Sequence, residues 1–92
     1  MTYFAPDMSK VSNSETPLRT IFRLRLNGKL VSISTVGQAY QFLTTLSSIE
    51  WMEYRTLHDD AVDLLERAAG NAMWTVQATN AVRALFVHAK LL

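Results

Sequence analysis

The sequence predicts an α+β domain, a basic β-hairpin packed on three amphipathic helices in the order ββααα. Three observations carry that prediction. Apolar residues alternate strictly on either side of Asn27-Gly28, three later segments repeat apolar residues at helical spacing, and 92 residues suffice for one core only.

The hairpin is the sharpest local signal. Ile21-Phe-Arg-Leu-Arg-Leu26 alternates, Asn27-Gly28 is the preferred two-residue turn, and Lys29-Leu-Val-Ser-Ile-Ser34 resumes a strand. A loop at Asn27-Gly28 sets Leu26 opposite Lys29, Leu24 opposite Val31 and Phe22 opposite Ile33. One face then holds Phe22, Leu24, Val31 and Ile33. The other holds Ile21, Arg23, Arg25, Leu30, Ser32 and Ser34. Turn and apolar pattern agree on one register, and a one-residue slip would expose the whole apolar set.

Thr35-x-x-Gln38 is a capping-box pattern that opens the first helix, with Val36, Ala39, Tyr40, Leu43 and Leu46 on one stripe and Phe42 off it. No charge appears on this helix, so it is expected to be covered on more than one side. The segment around Trp51 reads as a loop or an early helical turn. The second helix carries Tyr54, Leu57, His58, Ala61, Leu64, Leu65 and Ala68 inward, with Arg55, Asp59, Asp63, Glu66 and Arg67 opposite and Gly70 as its stop. Thr75 is the expected cap of the third helix, Trp74 the staple at its entry. Its stripe is Ala78, Ala81, Val82, Leu85, Phe86, Ala89 and Leu92. The core should set Phe22, Leu24, Val31 and Ile33 against Leu43, Leu65, Leu85 and Phe86.

Residues 1–17 read as a flexible arm, because Pro, Ser, Asn, Asp and Lys are scattered there without a period. Residues 18–92 are expected to form the single domain.

Composition narrows the function classes. Apolar residues make up 49% of the chain and nine are aromatic, which separates it from disordered sequences. There is no cysteine, so disulfides and thiolate metal sites are absent by composition. A core this small offsets little more than its own ordering entropy, and self-association is the remaining common staple. A homodimer is therefore expected. No basic start followed by an apolar run marks the N-terminus as a secretory signal. Leu30 to Ile49 carries no charge, yet nine of its twenty residues are Ser, Thr or Gln, a poor composition for a lipid-spanning helix. A cytoplasmic protein with no membrane partner is the expectation.

The net charge of +1 hides an asymmetry. Through Ile49, five basic residues (Lys10, Arg19, Arg23, Arg25, Lys29) stand against Asp7 and Glu15. From Glu50 onward, six acidic residues stand against Arg55, Arg67, Arg83 and Lys90. One basic end and one acidic end suit self-association or a charged partner.

Three segments carry a family resemblance: Ser34 to Leu43 (STVGQAYQFL), Ala61 to Gly70 (AVDLLERAAG) and Ala81 to Ala89 (AVRALFVHA). Over Leu18 to Ala89 the chain resembles the short alpha-proteobacterial proteins of domain-of-unknown-function family 982. It differs in having Leu46-Ser47-Ser48 where that family has a Trp-Pro pair, and in lacking a cysteine in the second helix. The resemblance implies two strands followed by three helices and a bacterial cytoplasmic setting. It implies no activity.

His58-Asp59-Asp60 is the one cluster that suggests acid–base chemistry. Neighbours on a helix point about 100° apart, so three consecutive side chains do not converge on one atom. His58 belongs at the boundary of the apolar stripe and Asp59 in solvent. His58 and His88 lie on different helices without a metal-ligand spacing. No catalytic residue, metal ligand or cofactor is expected.

The remaining features point to surfaces. Phe42, Tyr40, Arg23 and Arg25 are the candidate interface residues of a non-catalytic, homodimeric protein-interaction module with an unidentified protein partner. Arg19, Arg23, Arg25 and Lys29 form the alternative, a basic ribbon contacting nucleic-acid phosphates. A third possibility is a small ligand or an enzyme reaction, in a pocket the sequence does not announce.

Overall fold

A computed structural model describes residues 11–26, 28–45 and 52–91. It contains strands β1 (Pro17–Leu26) and β2 (Lys29–Thr35), then helices α1 (Val36–Thr45), α2 (Arg55–Gly70) and α3 (Thr75–His88). Short 3-10 turns at Met52–Tyr54 and Ala72–Trp74 lead into α2 and α3. The ββααα order and α+β class are those the sequence predicts.

β1 and β2 pair antiparallel in the predicted register, Phe22 with Ile33, Leu24 with Val31 and Leu26 with Lys29. Gly28 supplies the turn's left-handed φ of 80°, a conformation that costs a side-chain-bearing residue about 1 kcal/mol or more. β1 starts earlier than the alternation alone predicts. An irregularity between Pro17 and Phe22 adds residues to β1 without partners on β2, so the strict pattern begins only at Ile21.

The predicted inner face is buried: Phe22, Leu24 and Ile33 are at most 3% exposed, and Val31 packs against the same cluster. Phe86 of α3 receives them. Its ring meets Phe22 edge-on at 5.3 Å between centroids and Phe42 edge-on at 5.7 Å. Each such pair contributes about 1 kcal/mol beyond the area it buries. Leu43, Leu65 and Leu85 complete the core.

Local hydrogen bonds set the helix boundaries. Thr35 Oγ1 accepts from Gln38 N at 3.1 Å, the first half of the capping box. Gln38 Oε1 returns to Ser34 N at 2.8 Å, one residue before the cap. α3 ends in a Schellman arrangement, with Lys90 left-handed at φ 59°. There Lys90 N donates to Val87 O and Leu91 N to Phe86 O.

α2 does end at Gly70, as expected. The helix ends because Asn71 turns extended, and Asn71 Oδ1 accepts from Met73 N to open the next turn. The capping expectation is corrected: Thr75 does not cap α3 by accepting a backbone N–H. It lies inside the first turn, buried, and its hydroxyl donates to Ala72 O at 2.8 Å. Trp74, at the entry of α3, packs against the core cluster with the Arg67 guanidinium 5.3 Å from its ring centre.

The end of the expected arm is also built into the fold. Val11 is 7% exposed within the core cluster, Gly37 N donates to Ser14 O, and Val36 N donates to Thr16 O. The first ten residues, with Tyr3 and Phe4, lie outside the described residues, as do Leu46, Trp51 and Leu92. α1 is thus covered on more than one side near its start, by residues 12–16 of its own chain.

Gly37 explains that close approach. A Cβ there would stand 2.6 Å from Ser14 O and against Ser12 O, both backbone atoms that cannot rotate away. Glycine in a helix interior costs about 1 kcal/mol relative to alanine, and Gly37, second residue of α1, stands to gain at most that from an added methyl. Here the collision outweighs that gain. Gly37→Ala is expected to lower stability by about 1–3 kcal/mol, read as a drop in Tm by circular dichroism. A raised Tm would show that residues 12–16 do not pack on α1.

Candidate functional surfaces

The outer hairpin face holds the predicted basic residues. Arg23 and Arg25 are exposed and stand opposite Ser32 and Leu30. Strand alternation puts them on one face, about 7 Å apart along β1. Ile21 and Leu30 join them at 53% and 67% exposed, so the face mixes apolar and cationic groups. Arg19 is exposed beyond the β1 irregularity and Lys29 at the turn. The ion pairs among the described residues, Arg55–Asp59 and Arg67–Asp63, and the His58–Asp59 contact all lie on α2. None involves a hairpin cation. Among the described residues, no aromatic ring stands on this face as a stacking platform for bases.

Tyr40, an expected interface residue, is instead part of the core. It is 3% exposed, and its hydroxyl donates to Glu66 Oε2 at 3.1 Å. Its position on the Val36-Ala39-Leu43 stripe explains this, because that stripe faces α2. Phe42 is half-buried with its ring edge against Phe86 and also borders a groove between β2 and α1.

His58 ties two helices together. Its Nε2 lies 3.0 Å from Leu43 O in the last turns of α1, where the ring donates a hydrogen bond to a helix-terminal carbonyl. Nδ1 stands 3.6 Å from Asp59 Oδ1, whose side chain is 66% exposed. Asp60 points elsewhere, into an open groove with Leu57, Asp63, Leu64 and Ala81. His88 Nδ1 contacts Ala84 O of its own helix at 2.8 Å. Among the described residues, no three His, Asp or Glu side chains are arranged to hold a metal ion.

Two polar contacts carry more structure than the sequence announces. Thr79, 1% exposed, accepts from Arg19 N at 3.0 Å and donates to Thr75 O at 2.7 Å. The i,i+4 threonines on an otherwise apolar stripe were the available signal. Thr79 thereby covers part of the outer edge of β1. The Tyr40–Glu66 bond had no sequence signal, since Glu66 reads as part of the solvated face of α2.

Comparison with family models, with curated proteins and with solved structures yields no match for the chain. Among the described residues, no helix is long and apolar enough to cross a membrane.

Burial, then the hydrogen bond to Glu66 and the charge of that carboxylate, raise the Tyr40 phenol above its ordinary 10.0. The protonated phenol is the form the fold favours, so its contribution is intact below pH ~10 and is lost as pH rises through the folded value. Tyr40→Phe is expected to cost about 1 kcal/mol at neutral pH and to flatten the loss of stability above pH ~10. Denaturant melts at pH 7 and at alkaline pH read both effects. An unchanged alkaline slope would show that Tyr40 does not carry it.

Proposed function

We propose that this chain is a non-catalytic protein-interaction module that works as a homodimer, with a further protein partner of its own. The observation that carries this reading is a sheet of two strands among the described residues, whose outer face shows Ile21 and Leu30 more than half exposed beside Arg23 and Arg25. A two-stranded sheet is marginal by itself. One face is covered by helices, and the other presents the apolar-plus-arginine mixture common at protein interfaces. The bacterial cytoplasmic setting implied by the resemblance to the family-982 proteins belongs to this reading.

A second reading, nucleic-acid binding, is favoured by one observation. Arg19, Arg23, Arg25 and Lys29 have no carboxylate ion-pair partner among the described residues, which leaves them available to phosphates. The flat mixture of apolar and cationic groups without stacking aromatics favours a protein surface over it.

Light scattering on protein purified at low salt, read with the 260/280 nm absorbance ratio, separates the two. The expected result is twice the 10.4 kDa chain mass with a protein-like ratio. A monomer contradicts the homodimer. Co-purifying nucleic acid that is released as salt rises replaces it with the second reading.

A further inference from the structure

We propose that the homodimer forms by antiparallel pairing of β2 with β2 of a second copy, about a two-fold axis at Val31. This rests on the homodimer reading and names the surface that forms it. In an antiparallel ladder, residues alternate between those bonded to the neighbouring strand and those whose N–H and C=O point away from it. The two-residue turn makes Leu26 and Lys29 a bonded pair, so Leu24–Val31 and Phe22–Ile33 are bonded pairs too. Leu30, Ser32 and Ser34 therefore direct their backbone groups away from β1. Ser34 N is occupied by Gln38 Oε1. Among the described residues, the open window of β2 is Leu30 to Ser32.

That window selects one register. With Val31 opposite Val31 of the second copy, Leu30 and Ser32 form two reciprocal bonded pairs and every open group in the window is used. A pairing centred on Ser32 would need the Ser34 N–H, which is taken. A pairing centred on Leu30 would leave Ser32 against the turn.

Electrostatics favour this edge over that of β1. Self-pairing of β1 would gather four arginines, Arg23 and Arg25 from each copy, and Thr79 already occupies Arg19 N. β2 and α1 together, Lys29 to Thr45, carry one charge, at Lys29. In the proposed register the two Lys29 residues stand about 13 Å apart along the strands, beyond the Debye length of about 8 Å at physiological salt.

Strand pairing alone buries too little. A stable interface covers about 800 Å² per partner. The groove of about 340 Å³ beside the β2 edge, with Gln38, Gln41 and Thr45 of α1 on its far wall, extends the patch with groups that carry no charge to desolvate.

Val31→Cys tests the axis directly in a chain without native cysteines. Position 31 becomes a non-bonded pair of the new ladder, with Cα atoms about 4.5 Å apart, within disulfide range. Treated with diamide, V31C is expected to run as a disulfide-linked dimer on a non-reducing gel, and R23C on the outer face as a monomer. Ser32→Pro removes an outward donor without touching the β1 ladder. It is expected to halve the mass by light scattering and keep the helical circular dichroism. If S32P does not fold, the cross-link decides alone. A wild-type dimer with no cross-link at 31, or with equal cross-linking at 23, overturns this edge and leaves the homodimer standing. A wild-type monomer overturns both. A monomer whose Leu30 and Ser32 amides resist exchange assigns the edge to a segment of the same chain.

Discussion

The structure depends on covering one face of a two-stranded sheet. A hairpin has too few ladder bonds to hold itself in water, so its strands persist because Phe22, Leu24 and Ile33 are removed from solvent against α3 and α1. Phe86 is the centre of that contact, with Phe22 on one side and Phe42 on the other. Burying a side chain of this size stabilises by about 1.5–3 kcal/mol, a large share of what a domain this small has to spare. The helices are arranged around that ring: α1 by its Leu43 and Phe42, and α2 through Leu65 and the His58 bond to Leu43 O.

The same constraint divides the surface. Covering the inner face obliges the alternating residues to point out, which leaves Arg23, Arg25, Ile21 and Leu30 together. It also leaves two strand edges with unequal fates. The fold satisfies Arg19 N with Thr79 and Ser34 N with Gln38, so each edge is closed at one position by a side chain from a packed helix. What stays open on β2 is short, nearly uncharged and bordered by α1. Natural edges are commonly protected by charge or proline, and this stretch has neither beyond Lys29 at its end.

The fold was legible where one period governed a whole element. Period two and the Asn-Gly turn settled the register from Leu26 back to Phe22, and the 3.6-residue stripes found the buried apolar side chains of all three helices but not the buried Thr75 and Thr79 of α3. Legibility failed where a single residue chose between two hydrogen-bonding roles. Thr75 suits an N-cap by type, but its buried hydroxyl donates to Ala72 O. The docking of Val11 and residues 12–16 depends on contacts with Gly37, and polar composition gave no sign of them. At the surface, the exposure of Arg23 and Arg25 followed from alternation. Tyr40 lay on the core stripe all along, and the Glu66 carboxylate that receives its hydroxyl is identified only by three-dimensional packing.

One face of the hairpin is completed within the chain, and in the proposed dimer one edge is completed by a second copy. Amide hydrogen exchange across a dilution series tests it within a single sample. Phe22 and Leu24, bonded to β2 inside the chain, should stay protected at every concentration. Leu30 and Ser32 should be protected at high concentration and lose that protection on dilution. If Leu30 and Ser32 exchange at the unprotected rate at every concentration, no second strand pairs with β2 and the account is contradicted.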